Sequence, residues 1–149
     1  MNCVRIGYGE VANLHEKKLK ELGVETLGII ETNPTKCKLA KSHGFHVFSD
    51  YEEVLKLNPF FWDICTDTSS HVEIIEKIVQ LSPKANILVE KPVCSCYQLN
   101  RLQEILIGFK GKLSINENYQ CSEITKAINK LIHQYDIKSA ISSYYLMSE

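Results

Sequence analysis

The chain has 149 residues, a formal net charge of −1, and 44% hydrophobic against 23% charged residues. That balance supports a folded core rather than a disordered chain, and near-neutral charge offers no electrostatic reason for a nucleic acid or anionic membrane partner. No apolar run approaches the roughly 18 residues that span a bilayer, and "MNCVRIGYGE" lacks the basic-then-apolar order of a signal peptide, so a cytoplasmic protein is expected.

Strand-like and helix-like segments alternate along the chain. "CVRIGY" (3–8) is β-branched and apolar. Residues 9–22 carry Val11, Leu14, Leu19 and Leu22 as a helical apolar stripe, with Gly23 at the stop. A strand is predicted over 24–31, then a helix over 34–44 that opens on Pro34 and closes on Gly44. "HVF" is a short strand and "YEEVLKL" a short helix. "WDICT" (62–66) is the fourth strand, followed by a helix over 69–81 in which Ser70 and Glu73 have capping-box spacing. "NILVE" (86–90) is the fifth strand. Ser95 and Gln98 repeat the capping signature before a helix over 97–107. Two further strands, 112–119 and 138–146, flank a helix over 122–135.

This alternation predicts an α/β fold: a doubly wound, mostly parallel, Rossmann-type sheet with helices on both faces. Ligands of such sheets bind beyond the carboxyl ends of the strands, near the switch in strand order. The strand ends therefore carry the candidate site. Gly7, Gly9 and Ala12 fit G-x-G-x-x-G/A directly after the first strand and at the start of a helix, the context in which that motif cradles a pyrophosphate. The loop residues Gly7, Tyr8, Gly9, Glu10 and Val11 are the expected cofactor contacts, although Glu10 must point outward to spare a phosphate. Glu31 ends the second strand, 22 residues beyond Gly9, near the spacing of the acid that holds an adenosine ribose. With Thr32 beside it and no arginine following, Glu31 favours NAD, accepting two ribose hydroxyls and repelling a 2′-phosphate. Lys36 and Lys38 keep NADP open.

After strand four, Thr66, Asp67 and Thr68 face the crevice, and His71 lies in the first turn of the next helix, where local hydrogen bonding is its expected role beside a cofactor contact. In "NILVEKPV" a carboxylate and an ammonium, Glu90 and Lys91, end a buried strand just before Pro92. At that place Lys91 serves as a donor or proton-transfer group with Glu90 as its neighbour, or the two form a surface ion pair worth little to stability. The six cysteines are Cys3, Cys37, Cys65, Cys94, Cys96 and Cys121. Cys94 and Cys96 lack the second pair that a tetrahedral zinc site uses, so no metal is expected and the thiols are read as reduced.

Taken together, "GYGEVANLH", "GIIETNP", "DYEEVL", "DTSSH" and "EKPV" resemble the Gfo/Idh/MocA oxidoreductases over residues 3–120, and the Glu-Lys-Pro tripeptide is the most specific element. The resemblance implies an NAD(P)-dependent oxidoreductase acting on a sugar, cyclitol or related polyol, with Lys91 catalytic beside the nicotinamide. It implies an NAD(P)-binding domain over 1–120, and over 121–149 a connecting helix and the first strand of a truncated substrate domain. Copies of such enzymes associate through that domain, which also supplies a histidine for proton transfer. Thr68 stands where the family often has proline, and Gln120 where arginine commonly follows. A non-catalytic NAD(H)-binding module is the alternative. A methyltransferase shares the glycine loop and the acid but has no need of Glu-Lys-Pro.

Overall fold

The protein is described from a computed structural model, which covers residues 1–117 and 122–135. The chain divides into two compact units, Met1–Asn116 and Glu117–Glu149.

The first unit runs β1 (Asn2–Ile6), α1 (Glu10–Glu21), β2 (Glu25–Ile30), α2 (Pro34–Ser42), β3 (Val47–Phe48), α3 (Tyr51–Leu55), β4 (Phe61–Ile64), α4 (Thr68–Leu81), β5 (Asn86–Glu90), a 3₁₀ turn (Cys96–Gln98), α5 (Leu99–Leu106) and β6 (Lys112–Asn116). All six strands pair in parallel in the order β3-β2-β1-β4-β5-β6. The order reverses between β1 and β4, and that is where a doubly wound sheet opens its crevice.

Side chains alternate across the sheet, and the two faces differ in chemistry. On one face Val4, Ile6, Trp62, Ile64, Ile87 and Val89 pack with Val54 of α3, Val72, Ile75 and Ile78 of α4, and Leu102 of α5. Each fully buried Ile or Val there contributes roughly 1.5–3 kcal/mol relative to exposure. The opposite face carries Ala12 of α1 and Ala40 of α2 against Ile29 and Cys65. It also buries Arg5 and Asp63, which are direct partners in the β1–β4 register.

That polar pair explains a correction. The inward face of α1 is Ala12, His15, Glu16 and Leu19, whereas Val11, Leu14 and Leu22 of the expected apolar stripe are exposed. Polar groups on the sheet demand polar groups above them, and the helix is rotated to supply His15 and Glu16. A second correction concerns α4, whose N-cap is Asp67 rather than Ser70. The Ser70 hydroxyl instead donates to the Asp67 carbonyl at 2.8 Å and lies 2.8 Å from the Thr66 hydroxyl oxygen. The Ser95–Gln98 pairing forms as expected, Gln98 Oε1 accepting from the Ser95 N–H at 3.3 Å and from its hydroxyl at 3.0 Å.

In the second unit, α6 (Glu123–Gln134) is capped by Ser122, whose hydroxyl accepts from the Thr125 N–H at 3.1 Å. The strand expected over 138–146 lies outside the described residues. Among the described residues no helix is long and apolar enough to cross a membrane.

Candidate functional site

β1 delivers the chain into a turn only glycine makes easily. Gly7 has φ +91°, its N–H donates to the Ile30 carbonyl at 2.8 Å, and a Cβ there would lie 2.9 Å from the Cys65 carbonyl oxygen. Gly9 then caps α1 with no side-chain hydrogen bond, and Asp67 stands at the start of α4 in the same way. By contrast α2, α3 and α6 are capped by the side chains of Asn33, Asp50 and Ser122. Of the helices that begin beside the crevice, α1 and α4 thus leave first-turn N–H groups for an anion, whereas Asn33 caps α2.

The crevice itself is a cleft of about 590 Å³ lined by Gly7, Gly9, Glu10, Val11, Glu31, Thr32, Asn33, Lys36, Cys65, Thr66, Asp67, Ser70, Glu90 and Lys91. A second hollow of about 350 Å³ shares Gly7, Glu31, Thr32, Thr66 and Ser70 with it and reaches Ile30, Tyr51 and Ile74. Both volumes fall in the range of small-molecule sites. Lys36 is a cation of this cleft: its Nζ lies 3.8 Å from where a Cβ on Gly9 would sit.

Glu31 is held by backbone alone. Its Oε1 accepts from the N–H groups of Thr32 at 2.7 Å and Asn33 at 2.8 Å, and its Oε2 accepts from the Tyr8 N–H at 2.9 Å. A carboxylate has about four acceptor sites. Three are taken, which leaves one facing the cleft where the sequence reading expects two.

Asp63, buried within β4, is held by side chains instead. Arg5 Nε donates to its Oδ2 at 2.8 Å, and His15 Nδ1 lies 2.8 Å from its Oδ1. Arg5 Nη1 donates to Glu16 at 2.7 Å, and the Thr26 hydroxyl donates to the same oxygen of Glu16 at 2.7 Å. On the other side of the ring, His15 Nε2 lies 2.8 Å from Glu90 Oε1, and Asn116 Nδ2 approaches both. The chain Arg5–Asp63–His15–Glu90–Asn116 therefore crosses four adjacent strands beneath α1 and surfaces at Glu90 in the cleft. Burial opposes ionisation of His15, but its bonds to Asp63 and then Glu90 outweigh that and hold its pKa above the ordinary value. Burial likewise opposes the Asp63 charge, and His15 and Arg5 nevertheless pull its pKa below the usual range.

His15, Asp63 and Cys65 bring three donor atoms within 4.8 Å of one another, as a metal site would. The donor set does not fit a cation. Asp63 already carries the Arg5 guanidinium, and burial followed by the Asp63 charge pushes the Cys65 thiol far above its ordinary range, away from the thiolate that binds metal. Five cysteines, Cys3, Cys37, Cys65, Cys94 and Cys96, are free thiols among the described residues.

Matched against models of known families, residues 1–116 fit the Gfo/Idh/MocA oxidoreductase family, whose model describes an NAD-binding Rossmann fold. The chain belongs to this family. Solved structures agree on the fold. An NAD-binding protein from Listeria innocua superimposes with a TM-score of 0.72 at 20% identity, over 90% of this chain and 40% of that one. The scyllo-inositol dehydrogenase of Lactobacillus casei, solved with NAD(H) and scyllo-inositol, gives 0.75 at 15% identity over 93% and 42%. An oxidoreductase from Agrobacterium radiobacter, solved with NAD⁺, L-tartaric acid and magnesium, gives 0.73 at 19% identity over 90% and 40%. The chain thus spans about two fifths of the length of these relatives. No curated protein sequence matches it.

Within the Gfo/Idh/MocA frame, the residues read from the sequence are not all brought to one place. Gly7, Gly9, Glu10, Val11, Glu31, Thr32, Thr66, Asp67, Glu90 and Lys91 line the cleft. Tyr8 takes part only through its backbone, since its ring is buried and its hydroxyl lies 2.7 Å from His43 Nδ1. Thr68 begins α4 and is not part of the lining. His71 is fully buried behind the cleft wall, its Nε2 2.9 Å from the Thr66 carbonyl and its Nδ1 3.1 Å from that of Pro92. It ties the loop after β4 to the Lys91–Pro92 segment, the local role expected of it.

The Glu90–Lys91 ion pair is not formed. Glu90 pairs with His15, and among the described residues Lys91 makes no ion pair and is exposed. Arg5, His15, Glu16, Asp63 and Asn116 went unread. Their signal was present: an arginine inside "CVRIGY" and an aspartate inside "WDICT" sit mid-strand, where a charge requires a partner.

Proposed function

We propose that this chain is the dinucleotide-binding part of an NAD-dependent oxidoreductase that acts on a sugar, cyclitol or related polyol. The observation that carries the reading is the pair of helix N-termini without side-chain caps at a cleft floored by Gly7 and ending at Lys91. The first-turn N–H groups of α1 take the pyrophosphate, and the close approach at Gly7 and Gly9 admits it. The open acceptor site of Glu31 takes one ribose hydroxyl, with Thr32 beside it. The smaller hollow, walled by Ile30, Tyr51 and Ile74, receives the adenine. Thr66 and Asp67 line the middle of the cleft, and Lys91 stands at its far end as hydrogen-bond donor and proton-transfer group. The dinucleotide, when bound, supplies the hydride acceptor.

The inositol named with the Lactobacillus casei relative supports the polyol class. The free thiols among the described residues support a reducing setting. Residues 121–149 are read as the approach to a substrate domain. Calorimetric titration with NADH, NADPH and S-adenosylmethionine tests the reading. NADH is expected to bind most tightly, because Glu31 repels a 2′-phosphate; S-adenosylmethionine binding in its place would overturn the assignment. In a longer chain carrying the substrate domain, Lys91→Ala is expected to lower turnover by roughly a hundredfold, the scale of a lost acid–base group.

A further inference from the structure

The imidazole of His15 has a different kind of partner at each nitrogen. Nδ1 lies 2.8 Å from Asp63 Oδ1, and Asp63 is fixed in turn by Arg5, itself bonded to Glu16. The Cys65 thiol, 3.3 Å from Nδ1, is a weak partner beside a charged carboxylate. That nitrogen therefore keeps its proton. Nε2 faces an acceptor and a donor at once, Glu90 Oε1 at 2.8 Å and Asn116 Nδ2 at 2.9 Å. Protonated, it donates to Glu90. Unprotonated, it accepts from the Asn116 amide. Each protonation state of Nε2 thus has one fitting partner within hydrogen-bond reach.

We propose that His15 is a proton-relay residue behind the cleft, with Asp63 fixing its Nδ1–H tautomer and Nε2 exchanging a proton with the Glu90 carboxylate at the cleft floor. The inference rests on the reading above only in what fills the cleft. One proton moves in each event. Glu90 takes a proton from the cleft and passes it to Nε2, or Nε2 gives its proton to Glu90, which releases it. A polyol loses one proton with each hydride given up, and a carbonyl gains one in reverse, so such a site needs a group that can store it. The charged and polar groups facing His15 are Asp63 on β4, Cys65 just beyond its end, Glu90 on β5 and Asn116 on β6, with Arg5 and Glu16 behind Asp63 and Lys91 next to Glu90. Against the opposing effect of burial, the bonds to Asp63 and then Glu90 hold the His15 pKa above its ordinary value.

The test is a pH titration of the ¹⁵N-histidine-labelled 149-residue chain by NMR, with His15→Gln used only to assign the signal. Above its midpoint His15 is expected as the Nδ1–H tautomer, and Glu90→Gln is expected to lower that midpoint by about one pH unit. Glu90→Gln is isosteric at a partly exposed position and leaves the fold intact. A neutral Nε2–H tautomer, or a midpoint indifferent to Glu90→Gln, overturns the proposal. Saturating NADH is expected to move the midpoint. An unmoved midpoint with NADH bound overturns the coupling to the cleft. If NADH does not bind at all, the dinucleotide reading fails and the ligand-free titration still decides the role of His15.

Discussion

Two carboxylates, Glu31 in the crevice and Asp63 buried beneath α1, are satisfied in opposite ways. Glu31 is partly exposed and accepts three backbone N–H groups, all from residues of its own loop or of the adjoining glycine turn. Asp63 is fully buried and held by the side chains of Arg5 and His15, 58 and 48 residues away. Backbone donors that lose a surface acceptor turn to water. A buried guanidinium that loses its carboxylate has nowhere to turn, and Arg5 already carries one buried Nη2 with no partner. The first carboxylate is thus free to serve binding, while the second is tied to stability.

The largest test breaks the buried side of this contrast. Asp63→Ala is expected to destabilise the chain by about 3–5 kcal/mol in denaturant unfolding, because it strands the Arg5 charge. The double variant Arg5→Leu/Asp63→Leu is expected to recover most of that loss, since an apolar pair removes both desolvation costs. A double variant no better than Asp63→Ala would mean that the pair contributes something beyond its own compensation. Next comes Gly7→Ala, expected to cost about 1–3 kcal/mol for a side chain at φ +91° and to weaken NADH binding, as its Cβ presses on the Cys65 carbonyl.

The exposed side is broken by Glu31→Ala. Its unfolding midpoint should barely move, while NADH affinity falls by about tenfold, one charge-assisted hydrogen bond, and the margin over NADPH narrows. Paired titrations measure both, and an unchanged margin would mean that Lys36, not Glu31, reads the ribose.

Stability against pH separates the two limbs of the buried network. The depressed Asp63 contributes stability that is complete above its ordinary value of 3.8 and is lost as pH falls through its lower folded value. The raised His15 contributes stability complete below 6.5 and lost as pH rises through its higher folded value. A plateau between the two is expected in thermal unfolding, and Glu90→Gln should shorten its alkaline end. The smallest effect is expected for Lys91→Ala. An exposed side chain without an ion pair among the described residues leaves stability within about 0.5 kcal/mol, measured by the same unfolding curves.

Much of this molecule was written in short stretches of sequence. The strand–helix alternation, the Gly7–Gly9 turn, the start of α2 at Pro34, and the acid at Glu31 each depend on residues a few positions apart. Local chemistry of that kind survives without knowledge of the fold. The inward face of α1 did not. Val11, Leu14 and Leu22 outweigh Ala12, His15 and Glu16 on any apolar count, and only the Arg5–Asp63 pairing across β1 and β4 makes the polar face the buried one. Likewise nothing near Glu90 or Lys91 along the chain says that Glu90 faces His15 instead of its neighbour. Register and strand order bring β1, β4, β5 and β6 under α1, and the partners of a buried charge are set by what the sheet places within 3 Å, not by what stands next in sequence.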